Sequence, residues 1–439
     1  MSKDALPQQS LSALLDDSFK QLESEYQAGQ PIVFSTGYIS NLFLPPPDAV
    51  LKLFGISNPM LLGIEVAEQD LNLPLEIKSS SRHKLTTSGV GLPSVKKMYH
   101  WTRELFSRAV TKGPIFNEQD FVQSTQVNSN ALGWYSLLNN SEDMKKANIS
   151  DGFNEFQPLL TFFRKRCKAD VECFEHIKQQ VDKQGVKSIT LAEKLQFQSP
   201  FWLMYSEVEN STWEVLIKLL LQHEQKPIKD KETELLTFRC VVRLQLDFYL
   251  EAIAHYEAGV VLAKHENKDE VVQPNGMLTK GLMLYADGVG KTCFDGFLTE
   301  MIRVINKIHG DTSWRTVAGC IDIDESAATG MGDSLKDRQY NCLKDWRKGK
   351  NLPSYSKLQW FFIHLFGLED AEFIDMMLAY SKIAIGLDSL FNSICTNFKG
   401  AHFSEHELEG ILKQVLKDYP SYYLRCIERE LQEVTENEA

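Results

Sequence analysis

Residues 233–265 read TELLTFRCVVRLQLDFYLEAIAHYEAGVVLAKH, a long run at helical period that is nearly apolar on more than one side. A helix with one wet face keeps its apolar residues in a single stripe, so this pattern predicts a central, buried helix. Working outward, FDGFLTEMIRVINKI (from Phe294) places Phe294, Phe297, Leu298, Met301, Ile302 and Ile305 on one face. STWEVLIKLLLQH (from Ser211) repeats the same period. Strand-like runs are few and short: PIVFS at Pro31, PLEIK at Pro74 and CIDID at Cys320. The expected fold is mainly α and multi-helical.

Polar, Gly- or Pro-containing stretches interrupt the periodic segments near Gly113 and over residues 138–152 and 264–276. They suggest an N-terminal region 1–113, a helical middle domain 114–270 and a C-terminal region 271–439. A weak internal repeat links the two ends. GVGLPSVKKMYHWTRELF (from Gly89) and GKNLPSYSKLQWFFIHLF (from Gly349) share 7 of 18 residues without gaps, and Met98 and Trp101 align with Leu358 and Phe361. Ser94 and Ser354 are expected as helix N-caps after a proline-restrained turn. The plainer account is that both are the same common helix start.

The C-terminal copy resembles the later half of an Xre or phage-repressor type helix-turn-helix domain. SLKDRQYNCLKDWRKGK (from Ser334) matches the recognition helix and its basic turn, and LPSYSKLQWFFIHLFGL the closing helix. DAVLKLFGISNPMLLGIE (Asp48–Glu65) is similar to the second helix, turn and third helix of such a domain, with Gly55 at a turn position that favours positive φ. Ser57 or Asn58 would cap the next helix, with Pro59 in its first turn. Two departures stand out: about two dozen residues separate Glu65 from GVGLPS, and DIDESAATGMGD stands where a second helix is expected in the C-terminal copy. The resemblance implies one or two helix-turn-helix-like units on a helical scaffold, sequence-specific duplex DNA as ligand, and a role in transcription regulation. Two units in one chain would read two half-sites about one DNA turn apart, with the middle setting the spacing or holding an effector.

Charge is consistent with that expectation locally and not globally. The chain carries a formal charge of −12, which argues against a general nucleic-acid coat. From Ser334 to Lys357, seven basic residues face two acidic ones, a net +5; from Glu76 to Lys112, eight face two, a net +6. Phosphate contacts need such local density. The candidate DNA-contacting residues are Lys336, Arg338, Gln339, Asn341, Lys344, Arg347, Lys348 and Lys350, with Lys84, Lys96 and Lys97 in the N-terminal patch. Arg338, Gln339 and Asn341 are residue types that read base edges. The competing account makes these charges the solvated face of a helix in an interaction or adaptor protein, with a protein partner or a homodimer.

Other motifs point weakly to chemistry. GVGKT (288–292) ends like a phosphate loop, but Tyr285 occupies the position of its first glycine. Asp70, Glu76 and Lys78 follow the order of a nuclease site. Asp322, Asp324 and Glu325 form an acidic cluster, and His402 and His406 lie one helical turn apart. Cys167, Cys173 and His176 lack a fourth metal ligand, and the eight cysteines include no CxxC pair. Free thiols fit a reducing cytoplasm. The N-terminus has no basic start with an apolar core behind it, and no stretch approaches 18 uncharged apolar residues, so neither a signal peptide nor a membrane span is expected. No enzyme and no cofactor is indicated.

Overall fold

A computed structural model describes residues 41–56, 72–85, 90–112, 155–185, 189–225, 230–264, 276–323, 334–367, 371–397 and 403–438, with single positions and short groups between residues 13 and 138. Helix dominates these residues and no strand occurs among them, so the chain is mainly α and multi-helical. It divides into two compact units: Met1–Val50 with Ser57–Pro227, and Leu51–Ile56 with Ile228–Ala439.

In the first unit, α1 (Pro47–Leu53, whose last turn belongs to the second unit) precedes α2 (Leu92–Lys112), α3 (Gln157–Gln184), α4 (Leu191–Tyr205) and α5 (Asn210–Gln225). Helix α4 packs on both α3 and α5. The PLEIK segment is a correction to the expected strand. Leu73, Leu75 and Ile77 are buried while Pro74 and Glu76 are exposed, the alternation of a half-buried strand. No second strand pairs with it among the described residues, and its backbone groups go to side chains instead. The Leu73 carbonyl accepts from Trp101 Nε1 (3.0 Å), the Leu75 and Ile77 carbonyls from Arg82, and the Glu76 carbonyl from Lys97. Arg82 also forms a two-pronged pair with Glu68. The PIVFS run lies outside the described residues, and Cys320–Asp322 form no strand.

A second core in this unit surrounds Arg166 and Asp170, both buried on α3. The guanidinium lies over the Phe43 ring at 4.6 Å, with Phe162 and Trp202 also close. Asp170 accepts from Asn41 Nδ2 (2.7 Å) and Ser129 Oγ (2.5 Å).

The second unit is built on α6 (Lys231–Lys264), α7 (Met277–Ala286), α8 (Cys293–His309), α9 (Trp314–Ala318), α10 (Leu335–Arg347), α11 (Tyr355–Phe366), α12 (Ala371–Asn397), α13 (Glu405–Leu416) and α14 (Tyr419–Glu438). Helix α6 is the buried helix that its composition predicts, and it packs on α13 and α14. One of its sides is polar as well as buried. Asp247 accepts from Tyr422 (3.0 Å), Glu251 from Arg429 (3.4 Å), and Arg243 pairs with Asp418. Glu257 accepts from the Thr279 N–H and hydroxyl and from Tyr419 (2.9 Å). These pairs let carboxylates sit in the core, where an unpaired charge would be costly.

Helices α7 and α8 cross closely because glycine lines the crossing. A Cβ on Gly281 would lie 2.7 Å from the Phe297 Cα, and one on Gly296 would lie 2.3 Å from the Gly281 carbonyl oxygen. The turn between them ends α7 in a left-handed Gly288 (φ 79°), with Val289 N–H bonded back to the Leu284 carbonyl. Helix α8 also packs on α10 and α12.

Candidate nucleic-acid interface

Helix α10 starts and stops where its sequence signals place it. The Ser334 hydroxyl accepts from the Asp337 N–H, and Asp337 in the first turn suits the positive end of the helix dipole. At the far end Gly349 takes φ 70°, while Lys350 N–H bonds to the Asp345 carbonyl and Gly349 N–H to that of Trp346. Asn351 is left-handed as well (φ 46°), and its amide donates to Asp345. Ser354 then caps α11 by accepting from Lys357 N–H. Ser94, its counterpart in the repeat, lies inside α2, which already begins at Leu92. The expected cap there is corrected: Pro93 falls within the first turn and Gly91 supplies the carbonyls. The aligned apolar positions do share burial, Met98 with Leu358 and Trp101 with Phe361.

Two residues, Leu343 and Trp346, root α10 in the core, and each fully buried large apolar side chain contributes about 1.5–3 kcal/mol. Arg347 leans inward rather than outward. It pairs with Asp295 of α8, whose side chain is buried, and its guanidinium stacks over Trp314 at 3.6 Å. Gln339 Nε2 donates to the carbonyls of Gly319 (3.2 Å) and Ile321 (2.8 Å), tying α10 to the end of α9. Arg315 of α9 pairs with Asp337 (3.1 Å) and lies over the Tyr340 ring. A short helix thus precedes and packs on α10, upstream of the DIDES stretch. Asp324 and Glu325 lie outside the described residues.

The remaining candidates face solvent. Lys336, Asn341, Lys344, Lys348 and Lys350 are exposed, and Arg338 is half-buried. Spacing of 336, 340, 344 and 348 is one residue per helical turn, so the lysines and Tyr340 form one stripe. Lys344 lies over the Tyr340 ring at 4.8 Å, and a second cation, Arg315, lies over the same ring at 4.8 Å. In the first unit Lys84 is exposed, Lys96 pairs with Glu23 (3.1 Å), and Lys97 donates to the Glu76 carbonyl (2.8 Å). The N-terminal pattern Asp48–Glu65 is divided, since Leu51–Ile56 belongs to the second unit and Ile64 to the core of the first. Gly55 has the expected positive φ (82°); Ser57, Asn58 and Pro59 lie outside the described residues.

The phosphate-loop-like stretch is filled from within. Asp388 of α12 accepts from the N–H groups of Cys293 (2.7 Å) and Phe294 (3.1 Å) at the start of α8. The Asp295 N–H goes to the Thr292 hydroxyl, and the Lys291 N–H goes to the Asp295 carboxylate. Donors that cradle a phosphate in a true loop are therefore satisfied by carboxylates and a hydroxyl. Burial pushes the Asp388 carboxyl up to about 6, against the pull of those backbone N–H groups. This arrangement was not visible in the sequence, because its partners lie 94 and 95 residues apart.

Among the described residues no group of three or more His, Cys, Asp or Glu is placed to hold a metal. Asp70 and His402 lie outside them, and Glu76 and Lys78 are exposed. Cys167 and Cys173 are buried, and that burial raises both thiols above their ordinary range. No described helix is long and apolar enough to cross a membrane. Comparison with known protein families, curated proteins and solved structures finds no match to this chain.

Proposed function

We propose that the chain is a sequence-specific duplex-DNA-binding regulator that uses α10 as its reading helix. The observation that carries this reading is the solvent-facing set Lys336, Asn341, Lys344 and Lys348, continued by Lys350 in the turn. It lies on a helix capped at both ends and fixed by Trp346 and Arg347, so its cations are presented on a rigid element. In this reading Lys344, Lys348 and Lys350 meet phosphates, Asn341 reads a base edge, and Arg347 and Gln339 position the helix. The resemblance to the Xre type of helix-turn-helix supports the same assignment of α10 as the recognition helix.

Fluorescence anisotropy with a randomised duplex at low salt tests it. Binding that is lost in Lys344→Ala/Lys348→Ala, with an unchanged melting curve, is the expected result. No binding at low salt ends the proposal. A second reading, a helical interaction protein, is favoured by Tyr355 and Trp360, aromatic side chains 53% exposed on α11. Duplex indifference together with capture of a protein through Trp360 would favour it.

A further inference from the structure

A groove of about 610 Å³ opens in the second unit along α7 and α8, beside the start of α14. Its size falls in the range of small-molecule sites, and Met283 and Leu284 give it an apolar wall. Three cations line it, Lys280 of α7 with Arg303 and Lys307 one turn apart on α8, alongside Asp287, whose carboxylate pairs with Lys417 (3.1 Å). In an acidic chain, the Lys280 and Lys307 side chains make no ion pair or hydrogen bond among the described residues.

Glu300 is the telling residue. Its side chain is nine-tenths buried and lines the groove, and its ionic partner among the described residues is Arg303 at 3.6 Å, beyond hydrogen-bond length. It accepts no hydrogen bond among the described residues. Every other buried carboxylate discussed above, on α3, α6, α8 and α12, accepts at least one. Facing the groove with a loose ionic contact to Arg303, this carboxylate is available to a donor that arrives from outside.

We infer that this groove binds a small organic anion, a phosphate or carboxylate, that also carries an amine or hydroxyl donor. The anionic group meets Lys280, Lys307 and Arg303, and the donor meets Glu300. The geometry also links the site to α10. Asn306, in the same groove, accepts the Thr312 N–H (2.7 Å) at the approach to α9, and Asp295 on the same helix holds Arg347. Ligand-dependent tuning of DNA affinity rests on the DNA-binding reading; binding itself does not.

Titration calorimetry on the full chain at low salt tests the site, with O-phosphoserine, inorganic phosphate and serine as probes. O-phosphoserine binds more tightly than either of the other two. Lys280→Gln/Lys307→Gln weakens it by about tenfold or more, the loss expected when charge-assisted contacts are removed. Glu300→Gln, which keeps the side chain's shape, removes the preference for O-phosphoserine over inorganic phosphate while circular dichroism stays unchanged. Absence of heat with all three probes, or equal affinity in the lysine double variant, overturns the site. An anisotropy midpoint for duplex that does not move with saturating O-phosphoserine overturns the coupling alone. A protein that binds O-phosphoserine but no duplex leaves the groove standing and removes the DNA reading.

Discussion

Arg347 carries a different burden from the lysines around it, although all belong to one basic run in the sequence. Its partner Asp295 is buried, so Arg347→Ala strands a carboxylate in the core and removes the stack on Trp314. The expected cost is about 3 kcal/mol, near the low end for a broken buried pair because Arg347 keeps some solvent contact. Urea unfolding measures it, and Asp295→Asn in the same chain should recover part of the loss. Loss of DNA binding in Arg347→Ala would therefore report on α10 rather than on a phosphate contact. Asp170 makes a pH prediction. Burial pushes its carboxyl up to about 7, and the hydrogen bonds from Ser129 and Asn41 with the Arg166 charge only partly oppose that. The folded protein then binds more protons than the unfolded chain between its ordinary value near 3.8 and about 7. This contribution is full at the acid end and is lost as pH rises through that window. Urea midpoints should fall from about pH 5 to about pH 7.5, and Asp170→Asn should flatten the slope; an unchanged slope refutes the assignment.

At the scale of elements, the crossing of α7 and α8 depends on what glycine leaves out. Gly281→Ala places a methyl 2.7 Å from the Phe297 backbone, which cannot move like a side-chain tip. Overpacking of this kind costs about 1–3 kcal/mol. Gly410, exposed on α13, has open space where an alanine methyl would stand, with nothing within 4 Å. Gly410→Ala should instead stabilise by about 0.5–1 kcal/mol, because alanine suits a helix interior better. Thermal melts of the two variants should shift in opposite directions. Element identity was legible in the sequence where a local rule sufficed: the period of α6 and α8, Ser354 as a cap, and the basic turn that ends α10. PLEIK shows the limit of such rules. Its alternation correctly marks Leu75 and Ile77 as buried, yet a strand needs a second strand, and here side chains from α2 and Arg82 take its carbonyls.

Across the whole molecule, a formal charge of −12 and a local net of +5 shape how DNA would be held. If Lys344, Lys348 and Lys350 each meet one phosphate, log K should fall against log salt with a slope of about −2.7, at about −0.9 per contact. Each Lys→Ala change among them should reduce that slope by about one. Lys96→Ala and Lys97→Ala should change it less, since one lysine is paired with Glu23 and the other is spent on a carbonyl. The sequence picked out the basic stretch but could not separate its residues by task. Arg347 and Gln339 differ from Lys344 only in partners on α8 and α9, and those partners are set by tertiary packing.

Asp388 can also be regarded as a resident competitor at the start of α8. A tethered carboxylate acts at an effective concentration that free anions seldom reach, so the helix end is closed to phosphate by occupancy rather than by shape. Shortening that tether's head group should reopen it. Asp388→Ala is expected to lose stability in buffer without polyvalent anions and to regain part of it as phosphate is added, while the parent chain stays indifferent. Were the melting temperature of the variant unmoved by phosphate, the pocket would be sealed by packing, and GVGKT would be only a helix start.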